Sequence, residues 1–498
     1  MKCLHVFHLR GNVAVAVCAL GFLVIAVVIA GCSGSGSSSP MSGMGMVSVS
    51  ISDPPSCKNP NGSFSHVYIT IRSVQAHIDP NATDSSSGWQ ELAPQLANQP
   101  MQIDLFSEAQ TNCVLAQLGS ASLPVGSYQQ IRLLLVSNSA SGTGTSSTNA
   151  CAGNGFNCVQ LSDGSFHELA LSSQANTGLK IPPGQIIGGP IQVVAGQTVD
   201  LNIDFNACYS ILQEGNGQFR LKPTLTAGQI SANNSGISGQ VVDSITKTPI
   251  AGTVLVAIEQ PDDGGVDRVR MEASADANGN FRFCPLPLGT FDIVIVAVGP
   301  NNLPYNATAV LNVPNGTNLA TIPLVAEAGA PSPAVLQGFV TASTATGGAQ
   351  VDVSLAALQS VSIGTMSMTR ALNIPLQTIS ATATSPAVAS TGLISISSNM
   401  SCPSGSPTNA NCASYALVVP ASNPNIGVFT TSGVAYTAPA AGDVLFTVDA
   451  LAAQPSNGSG PDCIPPEQTT SKDVNMLPLK VTAGATTNVA RIDFTGCS

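Results

Sequence analysis

Residues 47–52 read Val47-Ser48-Val49-Ser50-Ile51-Ser52. Apolar and polar side chains alternate with period two, the pattern of a strand with one face in a core. The alternation returns in Val67-Tyr68-Ile69-Thr70-Ile71-Arg72 and in Leu201-Asn202-Ile203-Asp204-Phe205-Asn206. Turn residues punctuate these runs; Asp53-Pro54-Pro55 ends the first. Of 498 residues only 9% are charged and 4% aromatic, while 47 are Gly and 34 Pro. That mixture makes short strands and turns rather than long charged helices. The expected fold is mainly β, as tandem β-sandwich-like domains, and at about 100–200 residues per domain the length suits three.

Upstream of the first strand lies a different chemistry. Met1, Lys2 and Arg10 cap an uncharged apolar run, Val13 to Ala30, and Ser33-Gly34-Ser35-Gly36-Ser37-Ser38-Ser39-Pro40 follows. A basic start, an apolar middle and small residues at the end make an export signal. The ending Ile29-Ala30-Gly31-Cys32 resembles the lipobox of bacterial lipoproteins. The resemblance implies cleavage before Cys32 and lipid on its thiol, and two or more acyl chains anchor a protein stably. Ser33 resembles the arrangement that sends Gram-negative lipoproteins to the outer membrane. The competing reading is an uncut transmembrane helix, since the 18 residues from Val13 to Ala30 approach the ~20 that span a bilayer. The small residues and the Gly/Ser spacer favour cleavage. The expected organisation is a signal peptide at 1–31, a flexible tether at 32–45, and β-rich domains at 46–232, 233–326 and 335–498. A Pro/Ala-rich linker at 327–334 precedes the last.

The formal net charge is −11, and loss of Lys2 and Arg10 with the signal takes it to −13. An acidic chain lacks the positive field that phosphate backbones demand, which excludes nucleic acid as a partner. Thirteen cysteines occur. Cys3 and Cys18 leave with the signal and Cys32 takes lipid, so an even number remains, which in an exported chain reads as disulfides. Cys151 with Cys158, Cys402 with Cys412 and Cys463 with Cys497 are the candidate pairs. Cys57, Cys113, Cys208 and Cys284 stay unassigned. No Cys-x-x-Cys spacing supports a metal site.

Several markers, in order, resemble the family known as domain of unknown function 4382. They are Ser-Asp-Pro-Pro at 52–55, Val67 to Ile71, Ile103-Asp104-Leu105 and Leu-Pro-x-Gly-x-Tyr at 123–128. Gln130-Ile131-Arg132-Leu133, Ile203-Asp204-Phe205 and Leu221-Lys222-Pro223 complete them. The resemblance implies an exported β-rich domain of surface lipoproteins and supplies no catalytic residue. A second set resembles the carboxypeptidase regulatory-like module, a transthyretin-like β-sandwich. It comprises Gly236 to Asp243, Thr248 to Val254, Asp276-Ala277-Asn278-Gly279-Asn280 and Leu286 to Ile293, with Phe291 where that family usually has Tyr. The Asn278-Gly279 pair suits a hairpin turn. A calcium loop at Asp276 is the sharper reading, but the other carboxylates of such a loop are missing. The last domain resembles no family as a whole. Its Pro478 to Gly484 followed by Ile492-Asp493-Phe494 echoes Pro190 to Gly196 followed by Ile203-Asp204-Phe205. A reused hairpin and a common strand-turn-strand pattern both account for the echo.

Mature histidines are His66, His77 and His167, none in a zinc-hydrolase motif. No nucleophile elbow, phosphate loop or dinucleotide fingerprint occurs. Asp104, Asp204 and Asp493 sit on strands, where an aspartate more often faces solvent or holds a turn than acts as acid or base. Trp89, the single tryptophan, reads as a packing residue ahead of a sugar platform. Arg132 suits a buried ion pair or a snorkelling surface position equally. The expectation is a non-enzymatic lipoprotein of the cell envelope, lipid-anchored at the outer membrane or cell surface of a Gram-negative bacterium. It needs no cofactor or metal, and it presents binding or structural modules to a glycan or protein ligand. The alternative is a glycan-binding or adhesion protein; its supply of seven Trp and Tyr is small.

Overall fold

The computed structural model describes residues 43–497 apart from 53–63, 108–115, 140–148, 172–176, 206, 214–216, 222–224, 231–235, 263, 364–367, 384–385, 397–398, 400–401 and 454–462. The signal peptide, Cys32, Cys57 and Cys113 lie outside the described residues. Among those described, no helix is long and apolar enough to cross a membrane. The chain is mainly β, with many short sheets. Residues Met44–Ser498 form one compact unit.

The first module packs a five-stranded sheet against a larger one. In the five-stranded sheet, Met44–Ser52 pairs in parallel with the central strand Thr198–Phe205 and antiparallel with the edge strand Ala116–Pro124. Met44–Ser52 therefore begins inside the stretch expected as tether. Ala116 starts the last of these strands, opposite Ile51. The larger sheet is built on Phe64–His77, which pairs along one edge with Cys158–Leu161 and then Gln130–Leu135, and along the other with Met101–Asp104. Its inward residues, Val67, Ile69 and Ile71, meet Val49, Ile51 and Ile203 in a single core.

The second module has two sheets. Ile237–Asp243, Asn280–Phe283 and Asn318–Leu324 form the smaller one. Thr253–Pro261 lies between Asp267–Ser274 and Thr290–Val298 in the larger one, with Thr308–Pro314 beyond. The alternation of a β-strand sends Val256, Ile258, Ile293 and Ile295 into the core between the two sheets. It sends Leu255, Val294 and Val296 the other way, into the core of the third module. Both faces of the larger sheet are buried, and hence its strands read as continuous apolar runs. The third module adds a hairpin to that sheet: Asn425–Thr430 pairs in parallel with Thr308–Pro314. The segment expected as linker is buried at its two ends and exposed or half-buried between them, and buried Glu327 accepts from the Ala421 backbone N–H and the Ser422 hydroxyl.

All three modules close alike. The Gly196 N–H donates to Met44 O, and the Met46 N–H donates to Gln197 O. In the second module Gly316 donates to Gly236 O, and Ser238 to Thr317 O. In the third Gly484 donates to Ser332 O, and Val335 to Ala485 O. Each of these glycines has a positive φ, +70°, +88° and +70°, which a side chain would strain. The turn then launches a strand parallel to the module's first strand. The echo between 190–205 and 478–494 is thus a repeated closing device, and the middle module carries a third copy that its sequence disguises.

Candidate functional site

The sequence-derived residues fall in separate places. His66 Nδ1 lies 2.6 Å from Asp104 Oδ2, while Asp104 Oδ1 accepts from the Val67 and Phe106 backbone N–H groups, so this aspartate holds a turn. His77 bonds Ser87 O and His167 bonds Ser165, both local contacts. Arg132 stacks over Trp89, its guanidinium carbon 4.0 Å from the ring centroid, and bonds Gln75 Oε1 and Asp84 O. The arginine thus covers one face of the indole. Asp276 closes its own turn, accepting the Asn278 and Asn280 backbone N–H groups at 2.8 Å. Cys151 bonds Cys158, Cys402 bonds Cys412 and Cys463 bonds Cys497. Cys284 is also disulfide-bonded.

Asp204 departs from the solvent-facing or turn-holding expectation. Ser50 and Ser52, read as the wet face of a half-buried strand, are also buried. Parallel register sets Ser50 beside Asn202 and Ser52 beside Asp204. Ser52 donates to Asp204 Oδ1 at 2.9 Å, Asn202 Nδ2 donates to Ser52 Oγ at 2.8 Å, and Ser50 donates to Asn202 Oδ1 at 2.9 Å. This neutral ladder pairs Asp204 Oδ1 without a cation and leaves Asp204 Oδ2 buried with no partner among the described residues. Burial pushes the Asp204 carboxyl up to about 7. Asp493 has the matching register position, opposite Thr341, which donates to it at 2.6 Å. Burial would raise Asp493 too, but the bonds from Arg491 and Thr341 outweigh it and hold the carboxyl below its ordinary range.

The strongest concentration of charge lies where the modules meet. Arg220 of the first module makes a bidentate pair with Asp352 of the third. Arg268 of the second module reaches Asp449 at 2.7 Å and Glu467 at 2.8 Å in the third, and Asp262 of its own module at 2.9 Å. Burial works against the Arg268 charge, but these carboxylates hold the guanidinium above its ordinary value. Arg370 of the third module inserts between Asp267, at 3.3 Å, and Asp292, at 3.1 Å, of the second. Glu259 is Asp292's neighbour across the strands and is fully buried. One arginine does not balance three carboxyls. Burial, then the mutual repulsion of Asp267 and Asp292, lifts Asp267 to about 7. Burial, then Asp267, lifts Glu259 well above the usual carboxylate range. Asp449 rises to about 6, through burial and then Glu467.

Beside these ties opens a cavity of about 470 Å³. All three modules line it: Gln185 and Leu225 from the first, Arg268 and Arg270 from the second, Leu355, Ile374 and Asp449 from the third. A β-bulge shapes its charged wall. Ile258 faces Met271 and Glu259 faces Val269, so Arg270 is the extra residue with nothing opposite. Bulges re-aim side chains in this way. Sequence reasoning missed every residue of this junction. The one signal was Asp267-Arg268-Val269-Arg270, three charges in four residues of a chain that is 9% charged.

No curated protein matches the chain. Among solved structures it is similar to the shaft pilin SpaA of Lactobacillus rhamnosus GG, at 10% identity over 58% of this chain and 98% of the pilin, with a TM-score of 0.16. It is also similar to a streptococcal ancillary pilin, at 10% identity over 91% and 99% of the two chains, with a TM-score of 0.16. Residues 44–223 match the family model described as domain of unknown function (DUF4382), and the first module is a domain of that family.

Proposed function

We propose that this chain is a non-enzymatic, lipid-anchored protein of the cell envelope, held at the outer membrane through Cys32 and presenting its β-modules outward as one body. The observation that carries the reading is the junction: three arginines each cross from one module to carboxylates of another. Modules tied in this way move as a unit, which suits a presenting or spacing element rather than beads on a string. Two packed sheets over 237–324 support a carboxypeptidase regulatory-like sandwich as its middle element. The bridges Cys151–Cys158, Cys402–Cys412 and Cys463–Cys497 suit an oxidising compartment. Cys32→Ser tests the anchor. The variant is expected to leave the membrane fraction, and retention of the variant there with its N-terminus uncut sinks the reading.

A further inference from the structure

We propose that the junction cavity binds a small organic monoanion, a carboxylate on a compact apolar body, through Arg270. Arg270 lines the cavity, and its Nε is buried with no hydrogen-bond acceptor. A guanidinium carries five N–H donors. Among the described residues the groups acting on this one are Arg268, which repels it, and Asp262, which attracts it without a bond, and burial disfavours its charge. The contrast with Arg268 two residues away is direct. That side chain takes Asp262, Asp449 and Glu467 for itself, leaving none of these three to pair with Arg270. A partly desolvated cation without a partner is costly unless an anion arrives.

The walls set the rest of the ligand. Leu225, Val269, Leu355, Ile374, Leu376 and Leu451 supply apolar surface around the guanidinium. A volume near 470 Å³ lies within the range of small-molecule sites, which favour domain interfaces. The charge count selects a monoanion. Among the described residues one guanidinium on the cavity wall has no carboxylate bonded to it, and the acids around Arg268 repel a second negative charge. This inference is independent of the lipid anchor, and its failure leaves the proposed display role standing.

The test uses the full chain in detergent and saturation-transfer NMR titrations with benzoate, its neutral counterpart benzamide, and inorganic phosphate. Benzoate is expected to bind saturably, at least about tenfold tighter than either of the others, because a charge-assisted bond is worth roughly that much or more. Arg270→Gln should weaken benzoate about tenfold to a hundredfold, and Arg270→Lys should restore part of the loss. Leu451→Trp, at a wall position 45% exposed, should block benzoate with the guanidinium intact and so guards against a folding defect in the first variant. No saturable benzoate binding, equal binding of benzamide, tighter binding of phosphate, or unchanged benzoate affinity in Arg270→Gln each overturns the proposal.

Discussion

In the first module the strand Thr198–Phe205 sets Asp204 opposite Ser52; in the third, Ile492–Phe494 sets Asp493 opposite Thr341. The closing turn, the parallel register and the hydroxyl donor are shared. The electrostatics are opposite: Asp204 is lifted to about 7 and Asp493 is held low. The residue two before the aspartate makes much of the difference. At that place Asn202 joins the neutral ladder, whereas Arg491 grips Asp493 with Nε at 2.7 Å. Burial does the rest, since Asp204 is 4% exposed and the Asp493 side chain 31%. One backbone device thus accepts a protonated or an ionised carboxyl, according to what the neighbouring position supplies.

The largest effect that sharpens this comparison is expected from Asp204→Asn. The folded chain holds a proton on Asp204 up to about pH 7, whereas the unfolded chain releases it near the ordinary 3.8. Stability from this group is therefore complete below about pH 4 and declines as pH rises to 7, by at most about 4 kcal/mol at 1.36 kcal/mol per pH unit. The variant should lose that slope in denaturant melts between pH 4 and 8. A slope as steep as in the unaltered chain breaks the assignment. Ser52→Ala comes next: it strips Asp204 Oδ1 and Asn202 Nδ2 of their shared partner and should cost about 1–3 kcal/mol by chemical denaturation at pH 5. A loss below about 0.5 kcal/mol would mean that the ladder is idle. Asp493→Asn should have the smallest effect and the opposite sign in pH. Its lowered carboxyl contributes above the ordinary value and loses that contribution as acid protonates it. At pH 7 the cost should be about 0.5–1 kcal/mol, since the pair with Arg491 is part-exposed and screened. A cost that grows on acidification contradicts the comparison.

Much of the fold was legible because period-two alternation depends on local side-chain order alone. Val47 to Ser52 and Val67 to Arg72 are strands where they were expected. The small-loop bridges were legible for a related reason: Cys151–Cys158 and Cys402–Cys412 close over separations of 7 and 10 residues. The junction was not legible. Arg220 finds Asp352 across 132 positions and Arg268 finds Asp449 across 181. No local pattern specifies such partners. Nor did the serines of Val-Ser-Val-Ser-Ile-Ser announce a buried face, since alternation marks two faces and leaves open whether the polar one is wet.

By itself, then, the sequence determined strand content and the turns at Gly196 and Gly484, because each is settled within a few residues by sterics and polarity. Only the tertiary structure decided which carboxyls keep a proton and which arginines are paired, and that Arg270 Nε has no acceptor among the described residues. Those outcomes depend on burial and on partners brought together from different modules, and a charge's energy is set by its surroundings rather than by its place in the chain.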